Sequence, residues 1–191
     1  MRHKSQKGAV IKRTASLILS VLLSAFFLVP ASPAANAAPY CGIYWGSLPE
    51  QVSTMSSNAS MLNVRSGQHT CYDRLVIDVR GDIRGYDVRY GPVATEGQGL
   101  PVSLRGAADL RIVARVPPYD AAGNTTYHPS NDNEVVNVSG YRTFRQVAYA
   151  GTFEGQTTIG LGVRARLPFR VFILDGPGDI SRLVVDVAHR W

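Results

Sequence analysis

The octapeptide Tyr72-Asp73-Arg74-Leu75-Val76-Ile77-Asp78-Val79 returns near the C-terminus as Ile180-Ser181-Arg182-Leu183-Val184-Val185-Asp186-Val187. Both copies carry Arg-Leu-Val-(Ile/Val)-Asp-Val. Each is short, β-branched and bounded by turn residues, which reads as a strand. Alternation along a strand puts Leu75, Ile77 and Val79 on one face and Arg74, Val76 and Asp78 on the other. Leu183, Val185 and Val187 repeat the apolar face, and Arg182, Val184 and Asp186 repeat the charged one. Two such strands point to an all-β chain with internal pseudo-symmetry.

The rest of the chain supports that class. Short strands are predicted at 61–65, with a turn at Ser66-Gly67, and at 72–79, 85–90, 100–104 and 108–116. Tyr86, Val88 and Tyr90 share one face of the third of these. Pro117-Pro118 ends the fifth, because proline cannot continue a ladder. A polar loop from Tyr119 to Glu134 follows. Further strands are predicted at 135–138, 143–152, 157–166, 169–175 and 182–189. No helix is predicted after residue 37. Many short strands at regular turn spacing predict a β-sandwich of two antiparallel sheets.

The first 37 residues read as a signal peptide. Arg2, Lys4, Lys7, Lys12 and Arg13 form a basic start, Leu17 to Val29 an apolar stretch, and Ala35-Asn36-Ala37 a cleavage signal. No later run is long enough to span a bilayer, so a secreted protein without stable membrane insertion is expected. The leader also explains the charge. The chain has 20 basic and 14 acidic residues, but five of the basic ones precede the cleavage site, leaving 15 against 14. That balance gives no basis for nucleic-acid binding, which needs a retained basic patch. Every basic residue after the leader is arginine.

One domain remains by length. Cys41 and Cys71 are the only cysteines, and in an exported chain they are expected to pair. Residues 38–60 then form an N-terminal extension tied by that disulfide to a domain at 61–191. Tyr40, Tyr44 and Trp45 lie in the extension, where a lid over one end of the core is the simpler role than a binding platform.

No catalytic or metal motif emerges. There is no Gly-x-Ser-x-Gly elbow, no zinc-binding His pair and no phosphate loop, and no cofactor is implied. His69, His128 and His189 are the only histidines after the leader. Asp120, Asp132 and Glu134 do not match the spacing of a calcium loop. Asn58, Asn124 and Asn137 head glycosylation triplets that matter only in a eukaryotic secretory pathway. Asp78 and Asp186 would suit a glycosidase only if they faced each other across a cleft. Pairing of each with a nearby arginine, such as Arg80 or Arg89 for Asp78, is the simpler expectation.

Tyr72 to Val79, followed by Gly85-Tyr86-Asp87-Val88-Arg89-Tyr90, resembles the start of the secreted AMIN-like domain of high-GC Gram-positive bacteria. Pro168-Phe169-Arg170-Val171-Phe172 and Ser181 to His189 resemble its closing strands. The Gly97-Gln98-Gly99 turn and the segments Val102-Ser103-Leu104 and Leu110-Arg111-Ile112 fit between them. Asp179-Ile180-Ser181 stands where a Pro-Pro dipeptide often precedes the closing arginine. The resemblance covers 61–189 and implies a non-catalytic sandwich in which two similar sheets are related by pseudo-symmetry. AMIN domains are targeting modules that bind peptidoglycan. By that likeness the expected partner is peptidoglycan or another wall polysaccharide, with an envelope protein as the alternative. Sugar rings stack on aromatic side chains, and stem-peptide carboxylates accept forked bonds from arginine. Arg74, Asp78, Arg182 and Asp186 are the candidate ligand-binding residues on the repeat strands. Tyr86, Arg89 and Tyr90 are the others.

Overall fold

The structure, a computed structural model, describes residues 39–191; the expected signal peptide lies outside the described residues. Among the described residues nine strands form two antiparallel sheets. They are β1 (Glu50–Val52), β2 (Ser60–Gln68), β3 (Tyr72–Arg80), β4 (Tyr86–Tyr90), β5 (Ala108–Ala114), β6 (Phe144–Phe153), β7 (Gln156–Val163), β8 (Phe169–Asp175) and β9 (Ile180–Ala188). One sheet has the order β1-β4-β5-β7-β6 and the other β2-β3-β9-β8.

The core lies between them and follows the alternation of the strands. Leu75, Ile77 and Val79 from β3 and Leu183, Val185 and Val187 from β9 meet Val88, Leu110, Ile112, Ile159, Leu161 and Val163 from the other sheet. Burying a side chain of this size contributes about 1.5–3 kcal/mol. Phe144 and Phe169 are the bulkiest fully buried residues.

The two repeat strands do not divide between the two sheets. β3 and β9 lie side by side and antiparallel in the four-stranded sheet, with Val76 opposite Val184. Reversal of direction places Arg74 opposite Asp186 and Asp78 opposite Arg182. A local two-fold axis normal to the sheet therefore passes between the valines. It relates the hairpin β2-β3 to the hairpin β8-β9.

Several expected elements differ. β2 runs through Ser66 and Gly67, which pair with Leu75 and Arg74, so the turn falls after Gln68. The segment 100–104 is no strand; it makes an isolated bridge between Ala94 and Pro101, because Pro101 has no amide to extend a ladder. At 135–138, Val135 N donates to Val147 O. Asn137 Oδ1 then accepts from Ser139 N, turning the chain away. β1 forms within the N-terminal extension, where no strand was predicted.

The connection 91–107 crosses the outer face of the five-stranded sheet over β7. A Cβ on Gly162 would meet Arg105 O at 2.1 Å, and one on Gly160 would meet Leu104 Cδ1 at 3.0 Å. Glycine at these outward positions lets the backbone lie flat on the sheet.

The N-terminal extension bridges the two sheets. β1 pairs with β4 of one sheet, while Gly46 O accepts from Phe169 N on β8, an edge strand of the other. Glu50 adds a carboxylate oxygen to Val171 N at 3.2 Å. Cys41 and Cys71 are joined, with Cα atoms 6.4 Å apart.

Candidate functional site

The outer face of the four-stranded sheet gathers the charged residues of the repeat. Asp186 has no exposed surface and accepts from two arginines. Arg74 donates Nε to Oδ1 at 2.6 Å and Nη2 to Oδ2 at 2.9 Å. Arg170, on β8, donates Nε to Oδ2 at 2.9 Å. Asp78 is held in the same style by Arg65 of β2, through Nε at 2.8 Å and Nη2 at 3.0 Å. Arg182 Nε lies 3.5 Å from Asp78 and is buried without a hydrogen-bond partner.

Each aspartate thus sits between two guanidiniums. Asp78 pairs with Arg65 and Arg182 rather than with Arg80 or Arg89, because cross-strand neighbours on one face lie closest. Hydrogen bonding to the carboxylates raises the pKa of the Arg65 and Arg74 guanidiniums, against the effect of burial. Four arginines against two aspartates leave the face positive. All four stay accessible, Arg65 at 49% and Arg74, the least exposed, at 22%.

Aromatic rings complete one half of the face. The Arg74 guanidinium lies 5.2 Å from the Tyr72 ring and 5.4 Å from that of Phe172. Arg170 lies 4.9 Å from Phe172, 5.5 Å from Tyr72 and 5.4 Å from Trp45. Trp45, brought by the extension, tilts against Tyr72 at 5.8 Å and donates its indole N–H to Tyr40 O. At the centre Val76 and Val184 are buried although they point outward, as happens where long arginine stems and rings close over small side chains.

The structure separates the remaining candidates from this face. Tyr86 and Tyr90 pack against the core between the sheets. The Tyr90 hydroxyl donates to Leu167 O at 2.7 Å and accepts from Leu167 N at 3.1 Å. Burial pushes its pKa up to about 12. Arg89 lies on the outer side of the five-stranded sheet, bound to Asp87 and Gln51. Asp78 and Asp186 share a face but not a cleft. They stand four strand positions apart, roughly 13 Å, each enclosed by its own arginines.

A second polar cluster went unmarked in the sequence. Asp73 is fully buried and Oδ2 accepts from Thr143 N at 2.6 Å and Phe144 N at 3.0 Å. His189 Nε2 lies 3.1 Å from Asp73 Oδ1, and Nδ1 lies 3.2 Å from Thr70 O. Both ring nitrogens face oxygen atoms, and which of them carries the proton follows the tautomer. The cluster ties the β2-β3 turn to the start of β6 and the end of β9. Strand parity signals it: Asp73 falls on the face of Leu75 and Ile77, and His189 on that of Val185 and Val187. These contacts fasten the β2-β3 turn to β6 and β9.

Two antiparallel sheets, one outer face crossed by a connection and the other set with arginines and rings, define a β-sandwich module with one polar outer face. Residues 59–189 match the family described as the AMIN-like domain, and the chain belongs to that family. The family associates the domain with targeting to the cell envelope. No curated protein and no solved structure matches the chain. Among the described residues no helix is long and apolar enough to cross a membrane. The extension carrying Cys41 and Trp45 lies outside the matched region.

Proposed function

We propose that the protein is a secreted, non-catalytic envelope module that binds peptidoglycan or another wall polymer on the outer face of the four-stranded sheet. The observation that carries this reading is the set Arg74, Asp78, Arg182 and Asp186. The two-fold axis of β3 and β9 brings all four to one accessible face beside Tyr72 and Phe172. Aspartates fix the guanidinium planes, so outward N–H groups are held ready for carboxylates of stem peptides. Tyr72, Phe172 and Trp45 supply the rings on which sugars stack. Membership of the AMIN-like family supports an envelope target.

The test is sedimentation of the protein, lacking its first 37 residues, with purified cell walls. It pellets at low salt, is released as salt rises, and pellets less as Phe172→Ala. Full recovery in the supernatant at low salt removes wall binding as the function.

A further inference from the structure

The two-fold relation extends to the flanking strands. Val76 faces Arg65 and Val184 faces Phe172; Asp78 faces Asn63 and Asp186 faces Arg170. The axis therefore carries Phe172 onto Arg65, Arg170 onto Asn63, Arg74 onto Arg182, and Tyr72 onto Ile180. In one half of the face, Tyr72 and Arg170 seat the indole of Trp45. In the other half their counterparts Ile180 and Asn63 line an open groove of about 600 Å³, with Arg65, Asp78 and Arg182. Leu62 and Pro177 add apolar walls. The chain fills one of two related seats with its own tryptophan and leaves the other empty.

We infer that this open seat docks an aromatic side chain carried on an extended peptide segment of a partner protein. The filled seat sets the pattern. Its indole arrives on an extended strap that also pairs with an edge strand, through Gly46 O and Phe169 N at 2.7 Å. β2, which lines the open seat, is the opposite edge strand of the same sheet; Met61, the counterpart of Phe169, is already bonded to Pro117 O and Thr126 Oγ1, so an incoming segment has the edge beyond Met61 to follow. The lining also separates peptide from glycan. Where the filled seat has Tyr72 and Phe172, the open one has Ile180 and Arg65, and no aromatic side chain lines it. Without a protein ring the open seat lacks a stacking platform for a sugar, whereas an aromatic ligand stacks on guanidinium and aliphatic surface. Two arginines against one aspartate favour an acidic residue beside the incoming ring.

The strap itself supplies the probe: a synthetic peptide copying residues 39–50 with serine in place of Cys41, which carries both Trp45 and Glu50. It is titrated into the oxidised protein, residues 38–191, with methyl groups observed by NMR. Saturable shifts at Leu62 and Ile180 are expected. Affinity falls at least about tenfold when alanine replaces Trp45 in the peptide, and equally in the protein variants Leu62→Asp and Pro177→Arg. Three results overturn the inference: no saturation up to about 1 mM, shifts confined to the seat around Tyr72 and Phe172, or shifts at Leu62 and Ile180 produced by soluble wall glycan but not by the peptide. The inference goes beyond wall binding and is read separately from it, since a failure to pellet with walls leaves the peptide titration unchanged.

Discussion

Arg74 grips Asp186 through two nitrogens at 2.6 and 2.9 Å, whereas its two-fold counterpart Arg182 comes no closer than 3.5 Å to Asp78. Asp186 is fully buried and also holds Arg170, while Asp78 is 17% exposed and leans on the half-exposed Arg65. Symmetric in sequence, the two clusters differ in energy. Removing one partner of a buried ion pair leaves the others uncompensated and costs about 3–5 kcal/mol. An exposed pair contributes about 0.2–1 kcal/mol. Asp186→Ala should therefore lower the free energy of unfolding several times more than Asp78→Ala. Denaturant melts of the two variants check this, and equal losses would refute it.

Tyr90 satisfies both backbone groups of one residue. Its hydroxyl donates to Leu167 O and accepts from Leu167 N, at a half-buried position. Tyr90→Phe leaves that amide unpaired and should cost about 1–3 kcal/mol. Burial raises the phenol pKa to about 12, and that of Tyr127 likewise. In ultraviolet titration at 25 °C, these two phenols should ionise last or only with unfolding. Ionisation of Tyr90 near its ordinary value of 10.0, with the fold intact, would contradict the packing.

Glu50 gives a pH-dependent prediction of opposite sign to the usual carboxylate. Desolvation raises its pKa above the ordinary 4.5, more than the Val171 amide lowers it. The native state then holds its proton to higher pH than the unfolded chain does. Stability from this group is full below 4.5 and falls as pH rises through the raised value. Glu50→Gln keeps an acceptor for Val171 N and removes the charge. It should stabilise the protein modestly at pH 7, solvent screening keeping the gain small, with the gain vanishing in acid. Thermal melts at both pH values measure it; a variant less stable at neutral pH rules it out.

Period-two alternation is local, and it made the apolar and charged faces of β3 and β9 legible in the sequence. The pairing of those strands is not local, so the duplication suggested two halves of a sandwich rather than two neighbours in one sheet. The clue lay in the repeat itself: reversing Arg-x-x-x-Asp against its copy sets every arginine opposite an aspartate. Asp73 and His189 went unmarked, although both fall on apolar faces where polar side chains need partners. β1 and the Trp45 seat were not legible. Both are formed by tertiary contact with β4, β8 and Tyr72, which short-range pattern cannot show. Tyr86 and Tyr90 are candidates for their rings, on which sugars can stack, yet they share a side with Val88. That side is the core.

The Cys41–Cys71 bond closes a loop spanning 30 positions, and a closure of that size contributes about 3–4 kcal/mol in the chain-entropy model. Its structural effect should be narrower than that figure suggests. The disulfide fixes the strap, whereas the core residues of β2 to β9 pack through contacts in which the strap takes no part. Replacing both cysteines with serine should free the strap first: Trp45 leaves Tyr72 and Arg170, and Phe169 N and Val171 N on β8 lose their acceptors. Trp191, exposed and hydrogen-bonded to Arg166 O, is the only other tryptophan, so a Trp191→Phe background makes fluorescence report on Trp45. In that background the double serine variant should show red-shifted emission at temperatures where the far-ultraviolet β signal is still native. If emission and β signal change together at one temperature, the strap belongs to the cooperative core and the disulfide acts on the whole domain.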